Sequence, residues 1–269
     1  MSGHSKWATT RRHKAAVDAK RGKLFSLLSK ELTIAARDGG ADLDSNPRLR
    51  TVMLKAKQAN MPMDNIQRAV KKGTGELPGV NLESFTYEGY GPGGIGVIVE
   101  GTTDNKNRTV SEVRSTFSKM GGNLAASGAV AFNFDRMGQF FIDSKGFPKP
   151  RKGLNEDLVE WLIDVGAEDL IDHGNEGLEV LCAVSRFDAL AECLDRKKGI
   201  EVQISELVYV PKTRVLMADV ETARRVFRLI ETLEALEDVK DVFANFDIKE
   251  SLSKVLNSAG DDGSHQGSC

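Results

Sequence analysis

GQFFID (Gly138–Asp143), NEDLVEWLIDV (Asn155–Val165), AEDLID (Ala167–Asp172), LEVLCAV (Leu178–Val184), FDALAECLDRK (Phe187–Lys197) and EVQISELVYV (Glu201–Val210) succeed one another along the chain. Four of these runs are short, apolar and rich in β-branched or aromatic residues, as strands are. The other two space their apolar residues three and four apart, as helices do. In order they give β-α-β-β-α-β, the split βαβ or ferredoxin-like arrangement, with both helices on one sheet face.

Working outward, ESFTYEGY (Glu83–Tyr90) and IGVIVEG (Ile95–Gly101) read as strands joined through the turn GPGG (Gly91–Gly94). A helix over Asn105–Met120 follows, with Val110, Val113, Phe117 and Met120 inward, and then AVAFNF (Ala129–Phe134) as a strand. Beyond the ferredoxin-like stretch lie RVLMA (Arg214–Ala218), a helix over Val220–Leu236, and VKDVFANFDI (Val239–Ile248). These have too few partners to fold alone, so they are expected to pair with the Glu83–Phe134 strands. The ferredoxin-like unit is then an insertion.

The front of the chain is helical. From His13 to Arg37, Leu24, Leu28, Leu32 and Ala35 recur at helical spacing, widened by Phe25 and Leu27, until Gly39 and Gly40 stop the run. Asn46 caps a second helix with Pro47 in its first turn and Leu49, Val52, Met53 and Ala56 buried. Asp64 and Gln67 have capping-box spacing for a third helix carrying Ile66, Ala69 and Val70. The expected fold is α+β: an N-terminal three-helix domain plus two α/β domains of ferredoxin-like type, one inserted in the other. The expected bounds are 1–80 (basic, helical), 81–135 plus 206–250 (discontinuous α/β), 136–205 (inserted) and a disordered tail at 257–269. A chain of 269 residues accommodates three such domains.

The formal net charge of −2 hides a division. Of 37 Lys and Arg and 39 Asp and Glu, sixteen basic and six acidic residues lie between Met1 and Gly73, leaving 21 basic against 33 acidic in the rest. A basic front on an acidic body draws a polyanion to one end and repels it from the other. No apolar run approaches the ~18 residues that cross a bilayer, and no secretory signal core opens the chain. Cys182, Cys193 and Cys269 include no C-x-x-C pair, so neither a disulfide framework nor a zinc site is indicated, and a reducing cytoplasm fits.

GHSKWA (Gly3–Ala8), AKRGK (Ala19–Lys23), NPRLR (Asn46–Arg50) and KAKQANMPMDNIQRAVKKGTGEL (Lys55–Leu77) come first; YEGYGPGG (Tyr87–Gly94), TDNKNRTVSEVR (Thr103–Arg114) and FSKMGGNLAASGAVAFNF (Phe117–Phe134) follow. Together they closely resemble the YebC/PmpR family, which includes the mitochondrial translational activator of cytochrome oxidase. The match is dense in the first half; in the second it rests on element order, and DSKGFPKPR (Asp143–Arg151) departs from it in being basic and Pro-containing. The resemblance implies three domains and a non-enzymatic regulator of gene expression. Members are described both as DNA-binding transcriptional regulators and as ribosome-associated translation factors.

Two basic clusters are the candidate interface. The first is Lys6, Arg11, Arg12, Lys14, Lys20, Arg21 and Lys23, interleaved with Trp7 and His13; the cations neutralise phosphates and release counterions. Trp7 offers a ring for stacking on an unpaired base, against the competing reading that it packs on its own bundle. The second is Arg48, Arg50, Lys55 and Lys57, extended by Arg68, Lys71 and Lys72; their stems equally suit covering the apolar stripe. At Thr103–Arg108, Thr103 or Asp104 is a natural cap, while Asn105, Lys106, Asn107 and Arg108 exceed what capping needs, making Lys106 and Arg108 candidates. YEGYGPGGIG lacks the P-loop pattern and reads as a hairpin, with Tyr87 and Tyr90 beside it.

Catalysis finds no motif. His4, His13, His173 and His265 have no nucleophile partner, and neither H-E-x-x-H nor G-x-S-x-G occurs. The expectation is a cytoplasmic, non-enzymatic, nucleic-acid-binding regulator with no catalytic residues, metal, cofactor, membrane or small-molecule substrate. Its leading form is a DNA-binding transcriptional regulator. The alternative is a ribosome-associated translation factor that binds ribosomal RNA with ribosomal proteins and relieves stalled elongation; the lack of an evident helix-turn-helix with base-reading side chains leans that way.

Overall fold

The computed structural model describes residues 21–79, 81–143, 156–197, 199–217 and 219–248. The start of the first helix, the 144–151 departure and the tail expected at 257–269 lie outside them. The chain forms two compact units, Met1–Ala131 with Thr213–Cys269, and Phe132–Lys212. The fold class is α+β, with an N-terminal three-helix region and two α/β folds, one interrupting the other in sequence.

The first unit opens with α1 (Arg21–Gly39), α2 (Pro47–Gln58) and α3 (Met63–Gly73). Leu28, Leu32, Ala35 and Ala36 of α1 meet Leu49, Val52 and Ala56 of α2 and Ile66 and Ala69 of α3 in one core. Leu24, expected inside, is 41% exposed. Asn46 caps α2 as expected, accepting from the Leu49 N–H at 3.0 Å. Its amide also donates to the Ala35 and Gly40 carbonyls, each at 2.8 Å, so one buried side chain ends α1 and starts α2. The capping box at Asp64 does not form. The cap of α3 is Pro62, two residues earlier, which has no side-chain acceptor.

β1 (Glu83–Tyr90) and β2 (Gly96–Thr103) form the expected antiparallel hairpin around Gly91–Gly94. α4 (Lys106–Lys119) leads to β3 (Asn123–Leu124), which pairs with the end of β1. The strand expected at Ala129–Phe134 is instead a turn and a single 3₁₀ turn at Ala131–Asn133. The reason is Glu88: its buried carboxylate accepts the N–H groups of Gly128, Val130 and Ala131 at 2.6, 2.8 and 2.9 Å, groups a strand would need for its ladder. Burial would raise the Glu88 carboxyl, but these three bonds outweigh it and hold the group below its ordinary range.

The second unit is β4 (Phe134–Asp143), α5 (Glu156–Asp164), β5 (Asp169–Asp172), β6 (Gly177–Ala183), α6 (Phe187–Arg196) and β7 (Val202–Pro211). The sheet order β5-β6-β4-β7, antiparallel throughout, is the ferredoxin-like order read from the sequence. Phe140, Ile142, Leu178, Val180 and Cys182 form the face that α5 and α6 cover through Leu162, Leu190 and Leu194.

The chain then returns to the first unit with β8 (Val215–Met217), α7 (Val220–Ala235), β9 (Val239–Ala244) and β10 (Phe246–Ile248). β9 adds to β2, giving the order β3-β1-β2-β9, as expected. β10 leaves that sheet and pairs in parallel with β8, so VKDVFANFDI is two strands broken at Asn245. Val97 and Val99 of β2 share a core with Val113 and Phe117 of α4 and Val226, Leu229 and Leu233 of α7. Ile98, pointing to the opposite face by strand alternation, is also fully buried, and α1 contacts β2. The sheet therefore lies between α4 and α7 on one side and the three-helix bundle on the other.

Candidate nucleic-acid interface

On α2, the buried face of Leu49, Val52 and Ala56 leaves Arg48, Arg50 and Lys57 exposed and Lys55 half-buried. Arg48 pairs with Asp38 at 3.1 Å, and Arg50 donates to the Leu43 and Asp44 carbonyls at 3.1 and 3.3 Å. Both still present charge at the surface. Leu54, 53% exposed, sits one turn from Arg50 and from Lys57. On α3, Ile66 and Ala69 face the core, and Gln67, Arg68, Lys71 and Lys72 face solvent. Among the described residues, the side chains of Lys55, Lys57, Arg68, Lys71 and Lys72 have no ion-pair partner.

α2 and α3 are joined by the four residues 59–62, where Asn60 turns the chain at φ 57°. Gln67 and Arg68, in the second helix, are side-chain types that read base edges.

α1 uses its cations differently. Lys23, Lys30 and Arg37 stand seven apart on one flank. Lys23 donates to the Glu234 carbonyl, Lys30 to Asp238 at 2.6 Å, and Arg37 to the Leu82 carbonyl at 2.6 Å. Lys240 returns the contact, pairing with Glu31 of α1 at 2.7 Å. These bonds hold the bundle to the α/β part of its unit, so Lys23, read as a phosphate contact, has an internal partner. Arg21 is exposed, its guanidinium 5.4 Å from the Phe25 ring centroid.

Asp238 also accounts for the polar crowding at Thr103–Arg108. Gly101 lets the backbones approach: a Cβ there would collide with the Asp238 carbonyl and the Phe85 ring. The β2–β9 ladder shifts register between Glu100 and Gly101, and the Thr102 N–H bonds to the Asp238 carbonyl at 3.0 Å. The Asp238 carboxylate then receives the hydroxyls of Thr103 and Thr109 at 3.0 and 2.7 Å and the Arg108 guanidinium at 2.6 Å. Burial would raise this carboxyl, but bonds from Lys30, Arg108 and Thr109 hold it far below the usual carboxylate range. The cap of α4 is Asn105, not Thr103 or Asp104, accepting from the Arg108 N–H at 3.1 Å. Arg108 also pairs with Asp104 at 2.9 Å, and Lys106 pairs with Glu83. Tyr87 stacks on Phe85 at 4.7 Å between centroids, and the Tyr90 hydroxyl donates to the Ala129 carbonyl at 2.7 Å.

Lys6, Trp7, Arg11, Arg12, His13, Lys14 and Lys20 lie outside the described residues. Among those described, no group of His, Cys, Asp and Glu is arranged to hold a metal, and no helix is long and apolar enough to cross a membrane. Cys182 is fully buried, and burial pushes its thiol up to about 11, away from nucleophilic use. Sequence reasoning passed over Lys30 and Arg37, whose seven-residue spacing with Lys23 was the available signal. It also passed over Arg224, Arg225 and Arg228 of α7, which crowd one stretch of an otherwise acidic region.

Residues 5–76 match the model of the TACO1/YebC protein N-terminal domain, and residues 82–246 match that of the TACO1/YebC second and third domain. A probable transcriptional regulatory protein of Opitutus terrae is 49% identical over 253 residues, covering 94% of this chain and 98% of that one. Another, of Sulfurihydrogenibium sp., is 47% identical over 256 residues, 95% of this chain and 99% of that one. The crystal structure of a conserved hypothetical protein, Aq1575 from Aquifex aeolicus, superposes with a TM-score of 0.78 at 45% identity, covering 88% of this chain and 94% of that one. The descriptions of the Opitutus and Sulfurihydrogenibium relatives are of regulatory proteins rather than enzymes.

Proposed function

The chain belongs to the TACO1/YebC family, and on that premise we propose that it regulates gene expression by binding DNA through its basic helical bundle, without catalysis. The observation that carries this reading is α3: a second helix after a short turn, exposing Gln67 and Arg68 beside Lys71 and Lys72. In such a pair, cations on both helices grip phosphates while the second helix reads the groove. Lys55 and Lys57 of α2 supply the grip, with Arg48 and Arg50 alongside. Lys6, Arg11, Arg12, Lys14, Lys20 and Arg21 extend it in sequence, with Trp7 and His13 among them. Lys106 and Arg108 contribute less, being held by Glu83 and Asp238. The relatives' names as transcriptional regulators support the transcriptional form.

A second reading, a translation factor on ribosomal RNA, is favoured by the acidic second unit. There Glu156, Glu160 and Asp164 line a shallow pocket with Val159 and Ile163 on α5, a surface suited to basic ribosomal proteins. Crosslinking in cells followed by sequencing of the bound nucleic acid separates the two. Enrichment of discrete genomic DNA supports the first; recovery of ribosomal RNA alone replaces it with the second.

A further inference from the structure

Beyond Gly73 the chain carries more acid than base, so a cluster of cations there needs a cause. α4 and α7 lie side by side on one face of the sheet and share its core. Their outward faces present Arg114 and Lys119 from α4 and Arg224, Arg225 and Arg228 from α7, all exposed. Ala223, Val226, Ile230 and Leu233 point α7's other side into the core. Arg224 and Arg228, four apart, therefore face solvent, and Arg225 leans toward α4. Its guanidinium lies directly over Gly121, where φ is +79° and a Cβ would strike it. Among the described residues none of the five has an ion-pair partner. Ser115 and Ser118, exposed on α4 between Arg114 and Lys119, add hydroxyls. Glu112, Glu221 and Glu231 border the patch.

A face that only keeps a protein soluble mixes its charges. This one gathers five cations against three carboxylates, mostly as arginine, whose planar fork matches phosphate. Arg, Lys and Ser are also among the side chains that bond DNA phosphates. The patch lies across the sheet from the bundle that carries Lys55, Lys57, Lys71 and Lys72. We propose that the outer face of α4 and α7 is a second surface for the duplex DNA backbone, so that one chain bridges two separate stretches of duplex. This rests on the DNA-binding reading of the bundle.

The test immobilises one DNA duplex, adds the full chain, and measures capture of a second, fluorescent duplex. Wild type captures it. R224Q/R225Q/R228Q, and separately R114Q/K119Q, lose most of that capture while retaining binding to the immobilised duplex. Two variants on different helices guard against a folding defect in either one, and circular dichroism checks both. Wild type that binds a single duplex without bridging, or bridging unchanged in both variants, overturns the proposal and leaves the bundle reading standing. Wild type that binds no duplex overturns both. Bridging of RNA duplexes but not DNA overturns the choice of DNA as occupant.

Discussion

Lys30 of α1 reaches the buried carboxylate of Asp238, in the turn between α7 and β9, across 2.6 Å. Both side chains are shielded, at 15% and 2% exposure, and Arg108 approaches the other carboxylate oxygen. The bundle's position on the sheet depends on this anion. Asp238→Ala leaves the half-buried Lys30 without its counter-charge; breaking a buried pair in this way costs about 3–5 kcal/mol. Urea denaturation should show a loss of that order. A loss below about 1 kcal/mol would show that the node does not hold the bundle.

The same carboxylate gives a pH signature. Its pKa is lower folded than unfolded, so the unfolded chain takes up the proton first. The stability it contributes is complete above the ordinary value of 3.8 and drains as pH falls below it. The stability difference between wild type and Asp238→Asn should therefore be flat from neutral pH to about 5 and shrink steadily below about 4. A difference that grew on acidification would contradict the assignment.

Gly101 is where α1's anchor and the sheet meet. In Gly101→Ala the new methyl group meets the Asp238 carbonyl and the Phe85 ring, both held by packing. Overpacking of this kind costs about 1–3 kcal/mol. A fall in melting temperature, with α1 amides exchanging faster than those of β4, β6 and β7, is the expected result.

Much of this architecture is legible because periodicity reports burial. The ferredoxin-like order, the β1–β2 hairpin and the Asn46 cap all follow from local pattern and chemistry. What failed depended on partners far along the chain. Ala129–Phe134 looks like a strand until Glu88, some forty residues earlier, takes its N–H groups. Arg108 looks surplus until Asp238 is placed beside it, 130 residues away. Lys23 counts toward the basic front in a tally of charges but is engaged internally.

If α3 reads the groove, its residues divide by role. Gln67→Ala with Arg68→Ala should flatten sequence preference in selection from a random duplex library, since a good bidentate pairing with a base edge discriminates by about 1–3 kcal/mol. Lys71→Ala should weaken all sequences alike. Preference unchanged in the double variant would remove α3 from the groove.

The central claim is that exposed cations of the bundle grip phosphates. Its most direct test is the affinity of the nuclease-treated full chain for duplex DNA across a salt series. The account predicts a linear fall of log K with log salt, and a slope shallower by about 3–4 in Lys55→Glu/Lys57→Glu/Lys71→Glu/Lys72→Glu, at roughly 0.9 for each phosphate no longer neutralised. No binding at low ionic strength, or a slope unchanged in the quadruple variant, would contradict it.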